Sequence, residues 1–144
     1  MASSQISDVR QALKTIFTAA GHTCFAYPPG DTNTTATKSY VVLETVSASQ
    51  EHLVMGGSRS ELMDVSGVIV HYEPGATDAV AKTAEDAALA ILDDLEAGVR
   101  ATPGLSDSDV FHAQFGGVDS SDVTADSGNR VAVLRFTVTV ETHI

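Results

Sequence analysis

The sequence predicts an α+β fold: a mostly antiparallel sheet of four to five strands with two helices packed on one face, in the order α-β-β-β-α-β-β. Three observations predict it. Two segments repeat apolar residues at steps of three and four, the mark of an amphipathic helix. The other apolar segments are β-branched and aromatic runs of strand character, and the strands follow one another through hairpin-length, Gly-bearing connections. At 144 residues, 43% of them apolar, the chain has the material for one α+β domain over 1–144, large enough to bury about two-thirds of its unfolded surface.

The first helix is expected from Ser7 to Ala20, where Val9, Leu13, Ile16, Phe17 and Ala20 share a face. Ser7 suits the N-cap, Asp8 the positive helix end and Gly21 the C′ position. A brief strand, His22 to Tyr27, ends at Pro28, Pro29 and Gly30, because proline supplies no ladder donor. Asp31 to Lys38 (DTNTTATK) is polar and without periodicity, as a surface loop is. Ser39 to Ser47 reads as a central strand, with apolar groups on both faces: Tyr40, Val42 and Glu44 against Val41, Leu43 and Thr45.

Gln50 to Met55 and Glu61 to Tyr72 flank Gly56-Gly57-Ser58, so a long hairpin with a glycine tip is expected. Val68, Val70 and Tyr72 share one face of its second strand and Met63, Val65, Ile69 and His71 the other. Thr77 or Asp78 caps a second helix reaching about Glu96, with Val80, Ala84, Ala87, Ala88, Ile91 and Leu95 as its buried stripe. Glu85, Asp86, Asp93, Asp94 and Glu96 with Lys82 make its solvated face. Val110 to Val118 is a strand kinked at Gly116-Gly117, and Asp119 to Gly128 reads as an acidic loop. The last strand, Arg130 to Glu141, is the strongest: Ala132, Leu134, Phe136, Val138 and Val140 make one face wholly apolar.

Charge bounds the function. Nineteen acidic residues against 8 Lys plus Arg give −11, and no two basic residues adjoin, so a phosphate-gripping basic face is excluded. Secretion and membrane insertion are not expected, since the first residues have no basic-then-apolar signal and no apolar run approaches the roughly 18 residues that span a bilayer. The one cysteine, Cys24, forms no internal disulfide and suits a reducing compartment.

The chemistry-bearing residues do not assemble into a known motif. His22, His52, His71, His112 and His143 lack metal-ligand spacing, and Asp119, Asp122 and Asp126 lack the alternate oxygens and distal Glu of a calcium loop. Gly30 and Lys38 do not complete a phosphate loop, and Gly56-Gly57-Ser58-Arg59-Ser60 sits at a hairpin tip instead of a nucleophile elbow. Cys24 near His22 lacks a third, orienting group. No cofactor, metal or catalytic residue is expected.

The order of an N-terminal helix ending in Ala-Gly-His, a short strand, a Pro/Gly loop, the Ser-Tyr-Val-Val-Leu-Glu strand, a long hairpin, an Ala-rich helix and two closing strands resembles the tail terminator family of long-tailed bacteriophages, over Val9 to Val140. The resemblance implies a non-enzymatic structural subunit that forms a ring, expected to be hexameric, caps the tail tube and meets the head-tail connector protein. DNA would pass through without being specifically bound, and assembly would begin in the host cytoplasm and end in the virion tail. Family members often carry more basic character than this chain does. The alternative function is an acidic inhibitor or DNA mimic seated in a basic groove, and a small ligand-binding module is a third. The interface expected under the first reading is Leu53, Val54, Met55 and Arg59 at the hairpin tip with Asp31 and Lys38 in the Thr-rich loop; both polar loops, Pro28 to Lys38 and Asp119 to Asn129, are expected to be mobile in the free subunit.

Three consecutive apolar residues beside a hairpin tip either meet a partner or fold back on their own sheet. Replacing Val54 and Met55 together by Asp separates the two: assembly lost at unchanged melting temperature marks an interface, and a lowered melting temperature marks a core position.

Overall fold

The computed structural model describes residues 5–28, 39–52, 59–105 and 110–143. Its elements follow the predicted order: helix α1 (Ile6–Ala19), strands β1 (Cys24–Phe25), β2 (Ser39–His52) and β3 (Arg59–Pro74), helix α2 (Asp78–Ala101), and strands β4 (Val110–Asp126) and β5 (Asn129–His143). They form one five-stranded sheet in the order β1-β2-β3-β5-β4. Only β1 and β2 run parallel, with Cys24 opposite Val41 and Phe25 opposite Val42.

Helix α1 buries Val9, Leu13 and Phe17. It starts before the expected Ser7 cap: Gln5 holds the N-cap position without a side-chain cap bond, and its backbone N–H donates instead to Glu61 Oε1 at 3.3 Å. A tertiary partner thus replaces the local cap. Its C-terminus ends as glycine dictates. Gly21 adopts φ +97°, its N–H bonds Thr18 O at 3.0 Å and the His22 N–H bonds Phe17 O at 3.3 Å, which together make a Schellman closure.

In α2, the Thr77 hydroxyl accepts from the Val80 N–H at 3.2 Å. The helix runs beyond Glu96 to Ala101 because its apolar stripe continues: the buried residues are Ala84, Ala88, Ile91, Leu92, Leu95 and Val99, without Val80 or Ala87. Both helices contribute to the core that also holds Met63, Val65 and Ile69 of β3 and Ala132, Leu134, Phe136, Val138 and Val140 of β5, the apolar face predicted for the last strand.

Three expectations about strands are corrected. The central strands are β3 and β5, while β2 is flanked only by the two-residue β1 on its outer side. Strand β2 does not pause between Ser47 and Gln50 but runs continuously from Ser39 to His52, absorbing a register shift between Leu43 and Val46. The third correction is the largest. Asp119 to Asn129, expected to be a mobile loop, is the second half of β4 followed by a tight turn: Asp126 pairs with Asn129, and Ser127 (φ 49°) and Gly128 (φ 81°) both take positive φ, as a two-residue hairpin turn requires. Its polarity follows from position, since Ser120, Asp122 and Thr124 lie on the face without helices while only Val123 packs against the core. Gly116-Gly117 marks a bulge where the β4 register shifts, with Gly117 at φ +88°.

The tightest packing lies at the sheet centre. Gly67 of β3 faces Phe136 of β5 directly, and the Phe136 ring occupies the space of the missing side chain: a Cβ on Gly67 would stand 2.3 Å from Cζ. Phe136 in turn stacks on Phe115 at 5.1 Å and meets the edge of Phe17 at 6.2 Å. Gly67→Ala should therefore cost about 1–3 kcal/mol by overpacking, read as a melting temperature lower by several degrees. Adding Phe136→Leu to Gly67→Ala should make the pair's cost less than the sum of the single costs, whereas strict additivity in a double-mutant cycle would show that the ring is not what excludes the methyl group.

Candidate functional site

Strand alternation sends one set of side chains to the helices and the other to a face that no described element covers. This open face has two halves. Towards the β4–β5 turn it is apolar: Val68, Val70 and Val131 are 6%, 8% and 7% exposed, shielded by Tyr40, Tyr72 and Val133. Burial and the adjacent Tyr40 push the Tyr72 phenol pKa up. At mid-sheet Arg135 pairs with Glu44 at 2.8 Å. Towards the hairpin end the face is polar, with the Thr139 hydroxyl donating to Asp64 at 3.0 Å and the Thr137 hydroxyl to Asp119 at 2.5 Å. Ser47 and Ser49 of β2 extend the polar half.

The sheet has two unequal lateral edges. On the β2 side, β1 covers only Val41 and Val42, and the Val41 N–H bonds Thr23 O at 2.8 Å. Among the described residues, no strand pairs with β2 on that side from Glu44 onward. On the β4 side, Ala113 donates its N–H to Pro103 O at 2.7 Å, so the turn after α2 closes the edge there. Beyond it, β4 pairs with β5 alone.

Two grooves flank the helices. One, of about 360 Å³, lies between the end of α2 and the start of β4 and is lined by Glu96, Arg100, Pro103, His112 and Phe115. The other, of about 410 Å³, is lined by His22, Ser39, Tyr40, His71 and Ala87 among others. Within it, buried His71 is held on both ring nitrogens: Ser39 Oγ at 2.5 Å from Nδ1 and Glu73 Oε2 at 2.7 Å from Nε2. The carboxylate accepts, so Nε2 carries a proton and donates to Glu73, while Nδ1 shares a hydrogen bond with the Ser39 hydroxyl. Ser39 and His71 are direct cross-strand partners, and this chain pins the start of β2 to the end of β3. Sequence reading missed it because residues 39, 71 and 73 form no motif. Only the cross-strand register joins Ser39 to the other two.

The remaining polar residues pair locally. The acidic face of α2 has partners: Lys82 with Asp86 at 2.6 Å, His22 with Asp94 at 2.9 Å, the Ser121 hydroxyl donating to Glu85 at 2.8 Å, and Arg100 with Glu96. His22 therefore ties the α1–β1 connection to α2 and does not address Cys24. Among the described residues no group of three or more His, Cys, Asp or Glu converges as a metal site, and no helix is long and apolar enough to cross a membrane. Of the residues expected at an interface, Asp31, Lys38, Leu53, Val54 and Met55 lie outside the described residues, as does most of the first polar loop. Arg59 opens β3 opposite His52.

No protein-family model and no curated protein matches the chain. Solved structures do: 27 chains match, among them a chain of the virion of a native gene transfer agent (GTA) particle. That match has a TM-score of 0.54 at 16% identity and covers 96% of this chain and 99% of the other. The two chains share a fold. The likeness covers nearly the whole of both chains.

Cys24 gives the interior a chemical reporter. Burial pushes its thiol from 9.0 up to about 11, with Lys14 pulling weakly the other way, so at pH 8 only about one thiol in a thousand is ionised. Labelling by a thiol reagent should be slow in the folded protein and become rapid on unfolding. Because the folded chain keeps a proton that the unfolded chain releases, this group should also make stability fall as pH rises from about 9 to about 11. Fast labelling of folded protein at pH 8 would contradict the buried placement.

Proposed function

We propose that this chain is a structural virion protein of a phage-like particle, and within it a tail terminator subunit: one of six copies in a ring that caps the tail tube and meets the head-tail connector. The observation that carries the reading is the end-to-end fold likeness to a virion chain, which falls on the same residues whose element order resembles the terminator family. One feature of the chain agrees with it. The open face carries Asp64 and Asp119, and carboxylates on a channel wall repel the phosphates of passing DNA and keep it from adhering.

Light scattering and negative-stain images of the purified chain, alone and mixed with isolated tail tubes, test the proposal. Rings of uniform diameter, or density added to one end of the tubes, are the expected result. A strict monomer that leaves tube ends bare would overturn it.

A further inference from the structure

We propose that subunits of this ring join edge to edge, residues 116–122 of β4 in one copy pairing with residues 44–50 of β2 in the next, so that the sheet continues from subunit to subunit. The inference rests on the ring reading and names the surface that builds it.

Three observations lead there. The first is the unguarded edge. Free strand edges normally carry a lysine, a proline, an inward charge or a bulge that discourages pairing. Among the described residues the outer edge of β2 is covered by β1 only at Val41 and Val42, its bulge lies between Leu43 and Val46, and beyond that bulge the exposed run Ser47, Ala48, Ser49 carries no charge or proline. The second is strand direction. β2 is antiparallel to β3, β3 to β5, and β5 to β4, so β4 is antiparallel to β2. A rotation about an axis along the strands brings the β4 edge of one copy beside the β2 edge of the next, in the antiparallel sense, and the alternation is unbroken. Such a contact uses two different surfaces of one chain, the kind that closes into rings.

The third is stagger. Ser47 stands level with Asp64, Thr139 and Gln114 across the sheet, and Pro103 closes the β4 edge at Ala113. The free part of β4 therefore begins just beyond that level. Bringing residues 116–122 beside 44–50 offsets successive copies by about five residues, roughly 16 Å over the roughly 19 Å width of four strands. The resulting tilt, about 40°, falls in the ~35–45° range that closed sheets adopt. The helices, being bulky, take the larger radius. The open face then turns inward, and Ser47, Ser49, Asp64, Thr137 and Thr139 line the channel.

Charge at the seam supplies the test. Ser47 and Ser49 would stand beside Asp119 of the neighbouring copy, on the same open face. The full chain is compared as wild type, as Ser47→Asp/Ser49→Asp and as Ser47→Lys/Ser49→Lys, by light scattering coupled to size exclusion and by melting temperature. All four substitutions fall on exposed positions, so melting of the subunit should hold. The Asp pair should need at least tenfold more protein to assemble and the Lys pair no more than wild type. Hydrogen exchange on assembled wild type should show amides in 44–50 and 116–122 newly protected relative to diluted monomer, and this readout decides if a variant misfolds or if both variants lose assembly. Rings that form without that protection overturn the seam and leave the ring reading standing. Asp-pair rings that form as readily as wild type do the same. A wild-type chain that never assembles, alone or on tail tubes, overturns both.

Discussion

The contact between the Phe136 ring and Gly67 is the constraint on which the rest of the sheet depends. These two residues face each other on the central strands, and the ring fills the volume where any other residue at 67 would place its Cβ. The same level of the sheet runs from Leu43 through Gly67 and Phe136 to Val118. Both outer long strands lose register here, β2 just after Leu43 and β4 between Phe115 and Val118. Bulges bend strands and increase local twist, so the long strands turn around this ring instead of continuing flat. Phe17 brings α1 onto the ring and Phe115 brings β4. The irregularity after Leu43 is stabilised from outside: Arg10 of α1 donates to Leu43 O at 3.2 Å and to Ala26 O at 3.0 Å, with its guanidinium 4.8 Å from the Tyr27 ring centre.

Bending also partitions the open face. One side of the bend is a small apolar cluster around Val68, Val70 and Val131, and the other presents hydroxyls and carboxylates. The Arg135–Glu44 pair marks the boundary. Both residues of that pair are substantially exposed, so it contributes little to stability. The pair adds no net charge to the face. Stability rests on the helix-side core, and the proposed ring contacts fall on the face and edges that the core leaves free.

Much of this was legible in the sequence. The alternation from Ala132 to Val140, the helical stripe from Val9 to Phe17 and the Thr77 cap were readable because each is a local pattern with one physical solution. What failed was non-local. Asp119 to Asp126 has the composition of a loop, and only the length of β5 beside it makes it a strand. Ser7 looked like a cap until Glu61, more than fifty residues away, reached the Gln5 N–H. The Ser39–His71–Glu73 chain depends on cross-strand register between two separate strands. The lateral edges had no signature at all, because an unpaired backbone looks the same in sequence as a paired one. Hairpin-tip apolarity at Leu53, Val54 and Met55, by contrast, stands out in the sequence.

A cryo-electron microscopy map of the assembled protein tests the account most directly, since it shows which surfaces meet. The account predicts a ring in which β4 of each subunit lies about 4.8 Å from β2 of the next, with the helices outside and Gly67 and Phe136 stacked at the bend of every sheet. A ring whose subunits touch through α1 or α2, with the outer edges of β2 and β4 both open to solvent, would contradict it.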